Sequence, residues 1–165
     1  MKKIRFYTAV LSFLLAIIML SSCMMLGEKE KVFTNSGLSV TLTDKFHEKE
    51  HISFTGYYQS SDMLVVTIKE EFSHLQQMDI SENSTITEYL ELVIYANQHS
   101  SKVEQKDGIY YFTYESEVSG KDFKYLATAV KSNDAFWLVQ FGVLKDSFEK
   151  YEETIFKYAD SVKVD

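Results

Sequence analysis

Proline is absent from the 165 residues, cysteine occurs once, as Cys23, and Arg5 is the sole arginine. Without proline, collagen-like and Pro-rich linker architectures are excluded. A single thiol excludes an internal disulfide framework and any multi-cysteine zinc or iron–sulfur site. Glycine occurs only six times, at isolated positions, so no Gly-rich loop is available to cradle a phosphate. The composition that remains is 45% hydrophobic and 15% aromatic. A chain of this length makes one domain and buries about two-thirds of its unfolded surface, enough for a core without disulfide or metal.

Basic charge is also scarce where it would matter. Lys2, Lys3 and Arg5 precede Cys23, and taking their three charges from the chain's −7 leaves −10 for the remainder. Nucleic-acid binding needs clustered basic charge that releases counterions, so no nucleic-acid partner is expected. An acidic surface is equally unsuited to anionic lipid headgroups.

The amino terminus carries an address. Lys2, Lys3 and Arg5 form a positive head, and Phe6 to Leu20 is apolar apart from Thr8 and Ser12. Small residues Ser21 and Ser22 then lead to Cys23, the order of a secretory signal peptide. The apolar run is shorter than the ~20 residues a spanning helix needs. Leu20-Ser21-Ser22-Cys23 resembles the lipobox of bacterial lipoproteins, an apolar residue, two small ones and an obligatory cysteine. That resemblance implies alkylation of the Cys23 thiol by diacylglycerol, cleavage before it, and a mature chain anchored on the extracytoplasmic face of the cell membrane. Two or more acyl chains make a stable anchor where one binds only marginally. Met24 to Lys31 reads as a tether, reaching at most about 26–29 Å when extended. The expected division is therefore a signal peptide over 1–22, lipidated Cys23 and tether over 23–31, and a globular domain over 32–165.

Within the domain, Leu38 to Leu42 alternates apolar and polar as a half-buried strand does, with Val32-Phe33 pairing across a turn at Asn35-Ser36-Gly37. Ile52 to Tyr58 and Met63 to Phe72 read as strands joined through Ser60-Ser61-Asp62. Ile86, Tyr89, Leu90, Val93 and Ile94 follow a helical stripe, opened by the capping box Thr85 and Glu88 and ending near Asn97 to His99. Ser101 to Gln105 reads as a short strand. Ile109 to Val118, Phe123 to Lys131 and Ala135 to Leu144 form an antiparallel meander turning at Ser119-Gly120 and Asn133-Asp134. The last of these is apolar on both faces, which predicts a central strand covered on both sides. Lys145 to Ser161 returns to helical period. Strands, helix, strands, helix predict an α+β protein, a three-layer α/β/α sandwich around a mostly antiparallel sheet.

This arrangement resembles the PsbP-like fold over roughly residues 32–164. The features that carry it are Phe33 with Gly37 to Leu42, the mid-chain helix, and Ala135-Phe136-Trp137-Leu138-Val139-Gln140-Phe141 before the terminal helix. The resemblance implies an antiparallel sheet flanked by helices and a role in binding or assembly. It supplies no functional residues.

Few residues point to chemistry. His47-Glu48-Lys49-Glu50-His51 matches the H-E-x-x-H zinc-protease pattern, which needs both histidines on one face of a buried helix. This stretch is highly charged and lies between two strands, with Glu70 or Glu71 as the only third ligand in view, so it reads as a solvated loop. His74 and His99 stand alone and read as surface or satisfied polar residues. The adjacent pairs Glu70-Glu71 and Glu152-Glu153 diverge on a strand or helix and read as solvated charges. No G-x-S-x-G elbow is present. Tyr110, Tyr111, Phe112 and Tyr114 form the densest aromatic cluster, three on one face and Tyr111 on the other. With Tyr57-Tyr58 they are either core packing or a ligand platform.

The leading expectation is a non-enzymatic lipoprotein held through Cys23, with no catalytic, metal or cofactor residues, that binds an envelope protein partner. The alternatives are a small zinc-dependent hydrolase using His47, Glu48 and His51, and a small-ligand binder using the Tyr-rich face. The latter predicts an open apolar pocket beside Tyr110 to Tyr114.

Overall fold

The computed structural model describes residues 28–165. The expected signal peptide over 1–22, Cys23 and most of the expected tether lie outside the described residues. Among the described residues, no helix is long and apolar enough to cross a membrane.

The chain runs through β1 (Glu30–Asn35), β2 (Leu38–Thr43), β3 (His47–Glu48), β4 (Gly56–Gln59) and β5 (Met63–Glu71). A single helical turn, α1 (Phe72–Leu75), and a 3-10 turn (Gln76–Met78) follow, then helix α2 (Ile86–Ala96). Next come β6 (Glu104–Lys106), β7 (Ile109–Val118), β8 (Lys121–Lys131), β9 (Ala135–Leu144), helix α3 (Phe148–Asp160) and β10 (Lys163–Val164). Strands β3 to β9 form a seven-stranded antiparallel sheet ordered β3-β4-β5-β9-β8-β7-β6, and β1-β2-β10 form a second, smaller sheet.

Three hairpins close through two-residue loops at Ser36-Gly37, Asp107-Gly108 and Ser119-Gly120, where both residues have positive φ. That backbone matches the right-handed twist of the flanking strands, and glycine at the second position adopts it without a Cβ penalty.

Strand β9 lies at the centre and is buried on both faces. Ala135, Trp137, Val139, Phe141 and Val143 enter one core, with Phe33, Val40, Leu42, Ile155 and Tyr158 from β1, β2 and α3. Phe136 and Leu138 enter the other, with Phe72, Leu75, Tyr89, Leu90 and Val93 from α1 and α2. Each fully buried side chain of this size contributes about 1.5–3 kcal/mol, so β9 ties the two cores together. The architecture is the expected three-layer sandwich of mostly antiparallel sheet and helices. One outer layer also holds the β1-β2-β10 sheet beside α3.

Local expectations are met at α2, where Thr85 Oγ1 accepts from Glu88 N and the Glu88 carboxylate accepts from Thr85 N. Others need correction. Ile52 to Thr55 is not strand: Phe54 N donates to His51 O, its ring stacks on His51, and Ile52 is fully exposed. The β-branched and aromatic composition of that stretch is used in a turn. Phe72 opens α1 instead of ending β5, which places it against Phe136. Glu30 and Lys31, read as the end of the tether, pair with Thr43 and Leu42 in β1.

Candidate ligand-binding cleft

Antiparallel register places Leu64, Val66, Ile68 and Glu70 of β5 on the α2 side of the sheet, beside Gly142, Gln140, Leu138 and Phe136 of β9. On β8 and β7 the same side carries Tyr125 and Ala127, paired with Tyr114 and Phe112. Ala127 and Ala129 are small enough for α2 to settle over β7 and β8. Since α2 lies there, the floor over β5 and β9 is left uncovered between α2 and the α1 turn. The result is a cleft of about 480 Å³. Ile68, Leu138 and Gln140 form its floor, while Leu92, Val93, Ala96 and Asn97 of α2 form one wall. Leu75 and Met78 form the other, and His99, Phe112, Tyr114 and Ser116 close the end. This volume and mostly apolar lining fall within the range of small-molecule sites.

The polar groups are few and held in place. The Tyr89 hydroxyl donates to Glu70 Oε2, and the Tyr114 hydroxyl donates to Gln140 Oε1. Tyr114 stacks on His99 with ring centroids 4.2 Å apart and on Tyr125 at 4.8 Å, and the Tyr125 ring occupies the space a Cβ at Gly142 would need. Burial pushes the Tyr89, Tyr114 and Tyr125 hydroxyls up from their ordinary pKa of 10. For Tyr89 the neighbouring Glu70 charge adds to burial, and for Tyr114 and Tyr125 a neighbouring tyrosine does. Burial also lowers the His99 pKa, favouring the neutral ring.

The sequence-derived candidates scatter. His47 and Glu48 lie in β3 and His51 in the turn beyond it, so the H-E-x-x-H stretch is not a helix and its histidines do not share a helical face. His51 Nδ1 accepts from Ser53 N, and Glu48 accepts from Asn35 Nδ2 at 3.0 Å. Among the described residues no three His, Cys, Asp or Glu side chains gather as a metal site. These observations overturn the geometry that the zinc alternative required. Glu70 faces the cleft, while Glu71 is exposed. His74 is exposed on α1, and Glu152 and Glu153 lie on α3. The aromatic cluster divides as its alternation predicts: Phe112 and Tyr114 line the cleft, and Tyr111 packs on Phe156 on the opposite face. Tyr110 is partly exposed and Tyr58 fully buried.

His99, Gln140, Ser116, Asn97 and Ala96 were not read from sequence as site residues. Gln140 did carry a signal, being the one polar side chain within the apolar run Ala135 to Leu144.

A seven-stranded antiparallel sheet with helices on both faces and a ligand-sized cleft beneath one of them defines the class, an α/β/α sandwich. No family model matches the chain, and no curated protein does. Solved structures do. The chain is similar to the cyanobacterial PsbP protein CyanoP from Synechocystis sp. PCC 6803, with a TM-score of 0.50 and 12% identity over 84% of this chain and 94% of that one. A Bacteroides thetaiotaomicron protein gives a TM-score of 0.50 and 12% identity over 84% of this chain, which spans 48% of that protein's length. LpqN of Mycobacterium tuberculosis, described as involved in cell envelope biogenesis, gives a TM-score of 0.40 and 14% identity over 82% and 90% of the two chains. The likeness to CyanoP makes the fold PsbP-like, as the sequence pattern suggested.

Proposed function

We propose that this protein is an extracytoplasmic lipoprotein, anchored to the cell membrane through Cys23, whose PsbP-like domain acts by binding and not by catalysis. The address comes from the order of Lys2, Lys3 and Arg5, the apolar run to Leu20, and the lipobox-like Leu20-Ser21-Ser22-Cys23. The binding role takes its support from one observation, the cleft of about 480 Å³ between α2 and α1. A recess of that size favours a small-molecule ligand over a protein surface as the first occupant. The Tyr-rich strand β7 contributes Phe112 and Tyr114 to it, the location the small-ligand reading requires. An envelope protein is the second partner of this reading.

Two measurements test the two halves. Cells fed labelled palmitate should incorporate label into the wild-type chain, and Cys23→Ala should abolish both the label and membrane retention. A Cys23→Ala chain that stays membrane-bound and processed like wild type refutes the anchor. For the binding half, cross-linking in native membranes should capture a reproducible envelope protein. A capture unchanged by filling the cleft would separate that partner from the ligand site.

A further inference from the structure

We propose that the cleft takes an apolar molecule bearing an amine, with the Glu70 carboxylate as the partner of its ammonium group. This inference rests on the small-ligand reading of the cleft. It comes from the balance of charge around an otherwise apolar recess. Among the described residues, Glu70 is the one acidic side chain lining it, and no lysine or arginine does so. Lys131 shares that side of the sheet, but its Nζ donates to the carbonyls of Glu82 and Ser84 and lies over the Phe136 ring. The basic ring on the described lining is His99, which burial holds toward its neutral form. An anionic head entering here would lose its water beside a carboxylate and gain no countercharge, whereas an ammonium gains one.

The hydrogen-bond inventory agrees. Tyr89 donates to one Glu70 oxygen, and a carboxylate with two oxygens has further lone pairs to offer. Tyr89 is 0% exposed and stacks on Phe136 at 4.5 Å, so the hydroxyl that orients Glu70 is itself fixed. At the other end the Gln140 carbonyl is taken by Tyr114, which leaves the amide N–H groups as donors to a ligand acceptor. Between these ends Ile68, Leu92, Val93 and Leu138 offer aliphatic surface, and Met78 adds an adaptable wall.

Three probes of nearly equal size test the proposal: 1-naphthylmethylamine, 1-naphthalenemethanol and 1-naphthoic acid. Each is titrated into the full chain in detergent micelles, with naphthalene fluorescence as the readout. Ala96→Trp and Met78→Trp fill the cleft from opposite walls at exposed positions, and subtracting their signal removes uptake by the micelle. Circular dichroism and thermal melting confirm that each variant folds. The amine should bind about ten- to a hundredfold more tightly than the acid, the range of a hydrogen bond to a charged group. Glu70→Gln should bring the amine down to the level of the alcohol. Equal affinity of amine and acid, or preference for the acid, overturns the charge assignment and leaves the cleft as a site. If no probe distinguishes wild type from both filled variants, the small-ligand reading itself fails.

Discussion

Replacing Gly142 by alanine adds one methyl group at the point where the aromatic stack meets the sheet. Gly142 pairs with Tyr125 on one side and Leu64 on the other. The new Cβ would lie 2.5 Å from Tyr125 Cε1, 2.8 Å from its Cδ1 and 3.1 Å from Leu64 Cδ1. Ordinary carbon contacts are about 3.5–4.0 Å, so the ring must lift by about 1 Å. It has little room, since Tyr125 is 8% exposed and stacked nearly parallel on Tyr114, which stacks in turn on His99. Overpacking of this kind costs about 1–3 kcal/mol, and loosening the stack adds about 0.5–1.5 kcal/mol. Alanine recovers about 0.5–1 kcal/mol by restricting the unfolded backbone. The net expectation is a loss of about 0.5–4 kcal/mol. Urea unfolding should show a lower midpoint with an unchanged slope. The cause is tested by a double-mutant cycle: in a Tyr125→Ala background, Gly142→Ala should be neutral or stabilising. An alanine variant as stable as wild type, or one with the same cost in both backgrounds, refutes the claim that Gly142 exists to seat this ring.

Two further predictions concern sites away from the cleft. Tyr58 is fully buried, its hydroxyl has no partner among the described residues, and burial followed by the Glu48 charge pushes its pKa up to about 12. Unfolded, it ionises near its ordinary value of 10, so its contribution is intact below pH 10 and falls by about 1.4 kcal/mol per pH unit between 10 and 12. Tyr58→Phe should flatten that alkaline loss and raise neutral-pH stability by about 1 kcal/mol, measured by urea midpoints at pH 7 and 11, whereas a destabilised variant would show that the hydroxyl is used. His47 is exposed in β3, so His47→Ala should change stability by no more than about 0.5 kcal/mol and leave metal content by elemental analysis unaltered; stoichiometric zinc lost on this substitution would restore the metal reading.

The elements with strong periodicity were legible in the chain. Thr85 and Glu88 mark the start of α2 because a capping box is a local device written in four residues. The double apolar face of β9 told its central place because alternation survives whatever packs on either side. Ile52 to Thr55 misled because β-branched and aromatic residues suit a strand only when a neighbour pairs with them, and here the backbone turns back on His51. The cleft was half legible. Alternation put Phe112 and Tyr114 on one face, yet the recess exists because α2 settles over Ala127 and Ala129 and leaves β5 and β9 open. That is a long-range packing outcome, so His99, Ser116 and Ala96 carried no local signal of their own. Glu70 looked like a solvated charge until Tyr89, nineteen positions along the chain, was seen to hold it.

The most direct test of a lipid-anchored binding domain is native mass spectrometry of the mature protein extracted from its own membranes, compared with Ala96→Trp. The account predicts a wild-type mass carrying the covalent lipid on Cys23 and, in addition, one small molecule that dissociates on activation. The filled variant should keep the lipid and lose the small molecule. A small molecule retained equally by both chains, or a chain without lipid on Cys23, would contradict it.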